Sequence, residues 1–247
     1  MPSLRSRLPI ISAAIIALGV TGAGLAVGQG LIQSKRADRF VTVKGVAERE
    51  VEADLAFWSI TVSIPSDAIG SAQNEVDRSV EEVLAYLAGF GLDTAAVSRE
   101  GTQVTDRATQ YTGAMPSGGH RFVVSHTLLV RSPEVASVHA ASQHVGRLIQ
   151  AGVPLSTSSG YGYSRPTYSY TQLNDIKPEM IGEATASARL AAQRFADDSG
   201  SELGGIRRAN QGVFVILARD RAPGVEEAAQ RFKTVRVVST IEYHLQG

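Results

Sequence analysis

Alternating apolar and polar residues predict a strand pair near the start of the charged part of the chain. Val41 and Val43 alternate with Thr42 and Lys44, and the segment Trp58–Ile64 repeats the same period of two. This period is typical of strands with one buried face, so we expect the chain's only tryptophan to lie in the core. Four carboxylates at alternate positions separate the two strands. They are Glu48, Glu50, Glu52 and Asp54.

These acidic positions have two interpretations. On one face of an extended chain they would be candidates for acid–base chemistry, which needs paired carboxyl groups in different environments. If the turn falls at Glu52–Asp54, only Glu48 and Glu50 share a strand face, and the segment becomes a solvated turn that discourages edge pairing. We favour the turn, and we assign no catalytic residue here.

Three longer segments have apolar residues at helical spacing: Ile69–Leu87, Pro133–Ile149 and Asn174–Gly200. The alanine-rich face of the third predicts a close approach to a neighbouring helix or sheet. The expected buried faces are Ile69, Ala72, Val76, Val80, Val83, Leu84 and Leu87; Val135, Val138, Val145, Leu148 and Ile149; and Ile181, Ala184, Ala188, Ala191, Ala192 and Phe195.

The remaining periodic segments are predicted strands. The resulting order ββαββαβαββ predicts an α+β fold with a largely antiparallel sheet and helices packed on one side. We treat residues 40–247 as one domain, and a division near residue 100 is the alternative. The additional strands are Val97–Thr109, Phe122–Val130, a tyrosine-rich strand within Ser156–Thr171, Ile206–Arg219 and Phe232–Leu245.

The N-terminal segment predicts a transmembrane helix. No charged residue lies between Arg7 and Lys35, and the stretch Leu8–Val27 is mostly apolar, long enough as a helix to cross a bilayer core. A cleaved signal peptide is the alternative, but the run exceeds the usual apolar core of a signal and no A-x-A site follows it. We therefore expect a cytoplasmic tail at 1–7, a transmembrane signal anchor at 8–32 and a stem at 33–39.

Two small surfaces are candidates for contact with other molecules. Gly24 and Gly28 form a G-x-x-x-G pair, which permits close helix–helix contact in lipid. Four tyrosines at alternating positions suit a sheet surface that meets a partner, although aromatic cross-strand pairs in an ordinary strand explain them equally well. They are Tyr161, Tyr163, Tyr168 and Tyr170.

Composition narrows the classes of function. Twenty-four basic and 24 acidic residues give no net charge, so a nucleic-acid partner is not expected. The absence of cysteine excludes disulfides, thiol catalysis and zinc–thiolate sites. His139 and His144 are five residues apart on a predicted helix, and His120 and His126 are about 20 Å apart on a predicted strand, so neither pair predicts a metal site. No catalytic residue, cofactor or metal is predicted.

Three stretches of the chain resemble the SIMPL-domain family, which is similar to bacterial periplasmic immunogenic proteins. They are DRFVTVKGVAEREVEADLAFWSITVSI at 38–64, LNDIKPEMIGEATASARLAAQRFADDSGSELGGIRRANQGVF at 173–214 and KTVRVVSTIEYHL at 233–245. The resemblance covers roughly residues 38–247. It implies an extracytoplasmic α+β domain that self-associates, in some members into ring-like assemblies. Some members of the family are linked to oxidative or envelope stress, and a eukaryotic relative is a signalling adaptor. The family supplies no established catalytic residues.

We therefore expect a non-enzymatic, self-associating scaffold or binding protein with one span in the inner membrane. The resemblance implies that its domain faces the periplasm or the outside, and a second copy of the chain is the expected partner. A different protein is the alternative partner, and no motif in the sequence identifies one. The first alternative is a small-ligand binder or enzyme with a pocket near Tyr161–Tyr170. The second is a cytosolic adaptor anchored in the opposite orientation.

Overall fold

The computed structural model describes residues 17–25, 39–109, 119–156 and 165–246. The strands are β1 (Phe40–Glu52), β2 (Leu55–Ser66), β3 (Val97–Asp106), β4 (Phe122–Ser132), β5 (Leu155–Ser156), β6 (Thr167–Ser169), β7 (Glu202–Gln211), β8 (Val215–Ala218) and β9 (Phe232–Gln246). After a helical segment at 17–25, the helices are α1 (Ile69–Gly89), α2 (Val135–Gln143), α3 (Gly146–Gln150) and α4 (Leu173–Asp198). This confirms the α+β class.

The strands form two sheets where a single sheet was expected. One contains β1, β9, β7 and β8, and the other contains β3, β4, β2, β5 and β6. The pairs β2–β4, β3–β4 and β7–β9 are antiparallel. The strands β1 and β2 and the turn between them lie where they were predicted, but they do not pair with each other as a hairpin. Each belongs to a different sheet, which alternation within each strand does not reveal.

The described residues also fall into two compact units, and the division is not near residue 100. The first unit comprises described parts of Met1–Ala47, Glu179–Phe214 and Val237–Gly247, and the second comprises described parts of Glu48–Pro178 and Val215–Arg236. Residues of β1, α4 and β9 contribute to both. Because each unit gathers segments distant in sequence, no break in composition marks the division.

The second unit has its core between α1 and the five-stranded sheet. Trp58 pairs with Val130 and Ile60 pairs with Leu128 in the β2–β4 ladder, and all four side chains are buried. The buried face of α1 contains Ala72, Val76, Val80, Val83 and Leu87, which belong to the same core. These residues confirm the predicted faces of β2 and α1.

The first unit is organised by the close approach of α4 to β1. Ala188 and Ala192 of α4 pack with Val43, Ile241 and Tyr243 of the sheet. A Cβ placed on Gly45 would lie 1.8 Å from the carbonyl oxygen of Ala184 and 2.6 Å from the backbone nitrogen of Ala188. The alanines therefore mark a close helix–strand contact, as predicted, and Gly45 is the residue that permits it.

Several predicted elements have different limits. The strand expected at Ile206–Arg219 is divided into β7 and β8, because the register with β9 changes between the pairs Gln211–Ser239 and Val215–Arg236. The helix expected at Pro133–Ile149 is divided into α2 and α3. Three residues expected to be buried are exposed, because each lies at the margin of its helix's apolar face: Ile69, Ile149 and Phe195.

The predicted tail, anchor and stem at residues 1–39 lie largely outside the described residues. Residues 17–25 are helical, and Arg39 precedes β1. Within the described ranges, no helix combines the length and apolar character needed to cross a membrane.

Candidate functional site

One edge strand of the sheet in the first unit is β7, and β1 lies at the other end of the strand order. Strand β9 is its only neighbour in the described part of the sheet, and every residue from Ile206 to Gln211 is exposed. Ile206 is an apolar residue with 46% of its surface accessible. An edge strand of this kind presents unpaired N–H and C=O groups to which another strand can hydrogen-bond.

The β7 edge also has features that limit indiscriminate pairing. Its register with β9 shifts between Leu203 and Ile206 and again between Ile206 and Arg208. Such bulges increase the local twist, and charged residues on an edge oppose the approach of an unrelated strand. The edge therefore favours a partner with complementary twist and charge.

The face of this sheet that points away from α4 combines aromatic and charged residues. Along β1, Val43 and Gly45 are buried whereas Phe40 and Lys44 are exposed. The guanidinium of Arg207 lies 4.2 Å from the centroid of the Phe40 ring, a cation–π contact. Its Nη1 lies 3.8 Å from Glu242 Oε2. This face therefore offers both apolar and charged contacts beside the β7 edge.

A second candidate site is a polar groove of about 420 Å³ on the five-stranded sheet, in the second unit. Its floor residues alternate along β2 and β4 with the buried core residues, so the groove opens on the face opposite α1. One wall contains Gly101, which has φ of 108° at a register shift between Arg99 and Thr102. The lining residues are Thr61, Glu100, Gly101, Thr102, Gln103, Ser125, Thr127 and Ser156.

Pairs of hydroxyl groups join the two central strands at this groove. Thr61 Oγ1 and Thr127 Oγ1 are 2.9 Å apart, and Ser63 Oγ and Ser125 Oγ are 2.8 Å apart. Each pair shares one hydrogen bond, which leaves one hydroxyl proton and several lone pairs free to bind another molecule. The groove can therefore both donate and accept hydrogen bonds.

A cluster of charged residues ties the end of β2 to the start of β4. Asp106 accepts hydrogen bonds from the Arg121 guanidinium, with the Nη2–Oδ2 distance at 2.9 Å. Asp67 accepts one from the backbone amide of Arg121 at 3.0 Å and lies 3.2 Å from His120 Nδ1. The Arg121 guanidinium lowers the pKa of Asp106, and the Arg121 amide followed by the His120 side chain lowers the pKa of Asp67. These exposed carboxylates are held ionised.

One core position is a fully buried lysine, which was not predicted from the sequence. Lys233 has 0% of its surface exposed, and its Nζ donates to the backbone oxygen of Glu227 at 2.8 Å and to the Glu227 carboxylate. A buried ammonium is tolerated where it is both ion-paired and hydrogen-bonded. A signal was present: Lys233 is in phase with the buried positions Val235 and Val237 of β9.

The SIMPL family model, described as a protein of unknown function (DUF541), matches residues 41–243, well over half of the chain. The chain belongs to the SIMPL family. No curated protein matches it. The matched range includes residues of both units, so the SIMPL domain is not confined to either one.

The acidic turn between β1 and β2 of this SIMPL domain provides structural contacts. Asp54 accepts hydrogen bonds from the backbone amides of Thr171 at 2.9 Å and Gln172 at 3.1 Å, immediately before α4. Glu52 pairs with Arg231 at 3.0 Å, and Glu48 pairs with Arg236 at 3.2 Å. The turn falls close to the predicted position, and Asp54 binds the chain that leads into α4.

The predicted tyrosine surface is only partly described. Tyr168, 5% exposed, belongs to the core of the second unit, and its hydroxyl lies 3.0 Å from His139 Nδ1. Burial raises its pKa. Tyr170 is half-buried, whereas Tyr161 and Tyr163 lie outside the described residues. Tyr168 is thus a core residue in an antiparallel pair with Ala56, and the surface as a whole stays a prediction.

The other predicted contact, between helices at Gly24 and Gly28, also stays a prediction. Gly24 is exposed in the helical segment at 17–25, and Gly28 lies outside the described residues. Nothing lies within 4 Å of a Cβ placed on Gly24.

The histidines of the SIMPL domain contact different neighbours. His126 Nδ1 lies 3.0 Å from Thr102 Oγ1, and His144 Nδ1 lies 2.8 Å from the carbonyl oxygen of Ala140. Across the described ranges, no three acidic or histidine side chains are grouped closely enough to hold a metal ion.

Proposed function

We propose that this SIMPL protein is a self-associating, non-enzymatic scaffold or binding protein of the cell envelope. An N-terminal helix would anchor it in the inner membrane, with its domain on the periplasmic or outer side. The observation that supports self-association is the β7 edge, where Ile206 is exposed on a strand with a single described neighbour. The family resemblance supports the outward orientation and a role in envelope or oxidative stress.

Edge pairing between copies suits the chemistry of this strand. A second copy would satisfy backbone groups along β7 and cover the exposed Ile206, and both changes favour association. The edge also carries Arg207 and Arg208. These arginines would favour a partner edge with carboxylates, or a second β7 edge whose register is shifted so that like charges do not face one another. The proposed assembly is therefore built from copies of one chain.

We predict that replacing Ile206 with lysine weakens self-association of the full-length protein in mild detergent. The added charge opposes strand pairing, and because Ile206 is already exposed the fold tolerates it. Mass measurement across a concentration series should show an assembly for the natural chain at micromolar concentration. The Ile206→Lys variant should need at least about tenfold more protein to assemble. This corresponds to a loss of about 1.4 kcal/mol in the free energy of association per contact.

Leu190→Lys provides the matched control. Leu190 is an exposed apolar residue of the same unit, on α4, with 59% of its surface accessible. The same substitution there should leave the assembly intact. If Leu190→Lys dissociates the assembly and Ile206→Lys does not, the helix face mediates association. A natural chain that is strictly monomeric at micromolar concentration overturns the proposal.

The proposed topology predicts that protease added to spheroplasts removes the C-terminal part of the chain. The reason is that residues after the anchor would lie outside the inner membrane. A C-terminal epitope tag followed by immunoblotting reports the cleavage, and a cytoplasmic marker protein is the control. Protection of the tag in intact spheroplasts, with cleavage after lysis, would favour the adaptor in the opposite orientation.

A further inference from the structure

We propose that the polar groove of the second unit binds a neutral, polyhydroxylated ligand, the chemical class of saccharides. The site is defined by side chains from four strands, and it is independent of the β7 edge used for self-association. Its residues share one property: nearly all are uncharged hydrogen-bonding groups. The hydrogen-bonding side chains considered below are those of Thr61, Glu100, Gln103, Ser125 and Thr127.

The charge of the groove selects against anionic ligands. Among the described residues that line it, none is a lysine or arginine, and Glu100 is the one charged residue. Phosphates and carboxylates need cations or clustered backbone amides to compensate their charge, and a nearby carboxylate repels them. Glu100 would instead accept hydrogen bonds from ligand hydroxyls, since an ionised carboxylate only accepts.

The arrangement of hydroxyls matches a ligand with many hydroxyl groups. Thr61 and Thr127 form one pair across the central strands, and Ser63 and Ser125 form the next, along the same face. Successive rows on one strand face are about 6.8 Å apart and neighbouring strands about 4.8 Å apart. The result is a regular grid of donors and acceptors, to which Gln103 adds an amide that does both.

The groove also provides apolar surface for the C–H groups of a sugar ring. Each threonine presents a methyl group beside its hydroxyl, and the Gln103 stem adds methylenes. At the wall, Gly101 has φ of 108°, a conformation that favours glycine and keeps side-chain bulk away from the opening. None of the described lining residues is aromatic. We therefore expect weak binding, with a dissociation constant on the order of 1 mM, because each hydrogen bond to the ligand replaces one to water.

The experiment uses the full-length protein in mild detergent with maltotetraose and chitotetraose as separate probes. Saturation-transfer NMR reports contact with each saccharide, and a titration gives the affinity. At least one saccharide should bind, whereas inorganic pyrophosphate should not. The proposal is overturned if neither saccharide binds at a concentration about tenfold above the expected dissociation constant, or if pyrophosphate binds as well.

Isosteric variants locate the binding. Thr61→Val and Thr127→Val remove the hydroxyls and keep the β-branched shape, so the double variant should weaken saccharide binding by about tenfold or more. Thr105→Val, on β3 and outside the groove lining, is the matched control and should bind normally. Equal binding by all three proteins would place the saccharide elsewhere and overturn the proposal. Because replacing threonine with valine alters stability, thermal unfolding of each variant is measured in parallel. The Ser125→Ala variant provides a second test of the same hydroxyl grid.

Discussion

Gly45 shows how one residue controls the packing of an entire unit. Helix α4 approaches β1 so closely that the backbone of Ala184 and Ala188 occupies the space that a Cβ on Gly45 would need. The alanine face of α4 is visible in the sequence as an i, i+4 repeat, but the glycine that it meets is 139 residues before Ala184. Only the folded chain brings the two together.

We predict that Gly45→Ala destabilises the protein by about 3 kcal/mol, because the added methyl group overlaps backbone atoms that cannot move without displacing α4. Gly182→Ala is the matched control. Gly182 lies within α4 with nothing inside 4 Å of an added Cβ, so alanine there should stabilise the helix by about 0.5–1 kcal/mol. Chemical denaturation of both variants checks the prediction. Equal effects of the two substitutions would contradict the close approach at Gly45.

Lys233 shows that a charge can occupy a core position when its partners are close. The alternation along β9 assigns position 233 to the buried face, while the residue type argues for the surface. The side chain takes the buried position, and its ammonium is compensated there because Glu227 supplies two acceptors. Sequence periodicity was therefore the better guide, and the nearby glutamate explains why.

At the scale of elements, the cluster of Asp67, Asp106, His120 and Arg121 connects β2, β3 and β4. Hydrogen bonds from Arg121 reach both aspartates, one through its side chain and one through its backbone amide. Neither sequence alternation nor any motif predicted this cluster, because its members are up to 54 residues apart. Register between strands brings them together: Ser66 and Asp106 both pair with Phe122.

This cluster predicts that stability falls in acid. The pKa of Asp106 is lowered in the folded protein by the Arg121 guanidinium. Because the pKa is lower in the folded state, the ionised carboxylate stabilises the fold at pH values above its ordinary pKa of about 3.9. This stabilisation is lost as the pH falls through the lowered pKa of the folded state. The Asp106→Asn variant lacks this contribution, so its unfolding temperature should fall less between pH 5 and pH 3 than that of the natural protein.

Thermal unfolding followed by circular dichroism from pH 3 to pH 7 measures the difference. Glu82→Gln, which removes an exposed carboxylate of α1, is the control and should follow the natural pH dependence. Parallel curves for the natural protein and Asp106→Asn would show that the ion pair with Arg121 does not hold the carboxylate ionised.

At the scale of the whole molecule, the balance of charge affects contacts between copies of the protein. The chain has 24 basic and 24 acidic residues and a sequence pI of about 7.0. Long-range repulsion is therefore weakest near neutral pH, where short-range attraction between exposed apolar residues is least opposed. Charge balance would therefore add a non-specific attraction to the specific contact that we propose at the β7 edge.

We predict that attraction between detergent-solubilised particles is strongest near pH 7 and weaker at pH 5 and pH 9. Static light scattering gives the second virial coefficient, which should have its minimum near pH 7. A variant with Ala186→Glu and Ser187→Glu, two exposed positions on α4, should shift that minimum to lower pH. A minimum that stays in place would show that net charge does not control these contacts.

The sequence by itself determined the α+β class, the buried faces of β2 and α1, and the family, because these depend on periodicity and local pattern. It did not determine the two sheets, the two units, the Gly45 contact with α4 or the groove across β2 and β4. Those features depend on strand order and register, which are set when distant segments pack. Alternation tells which face of a strand is buried, but only tertiary structure decides which strand lies beside it.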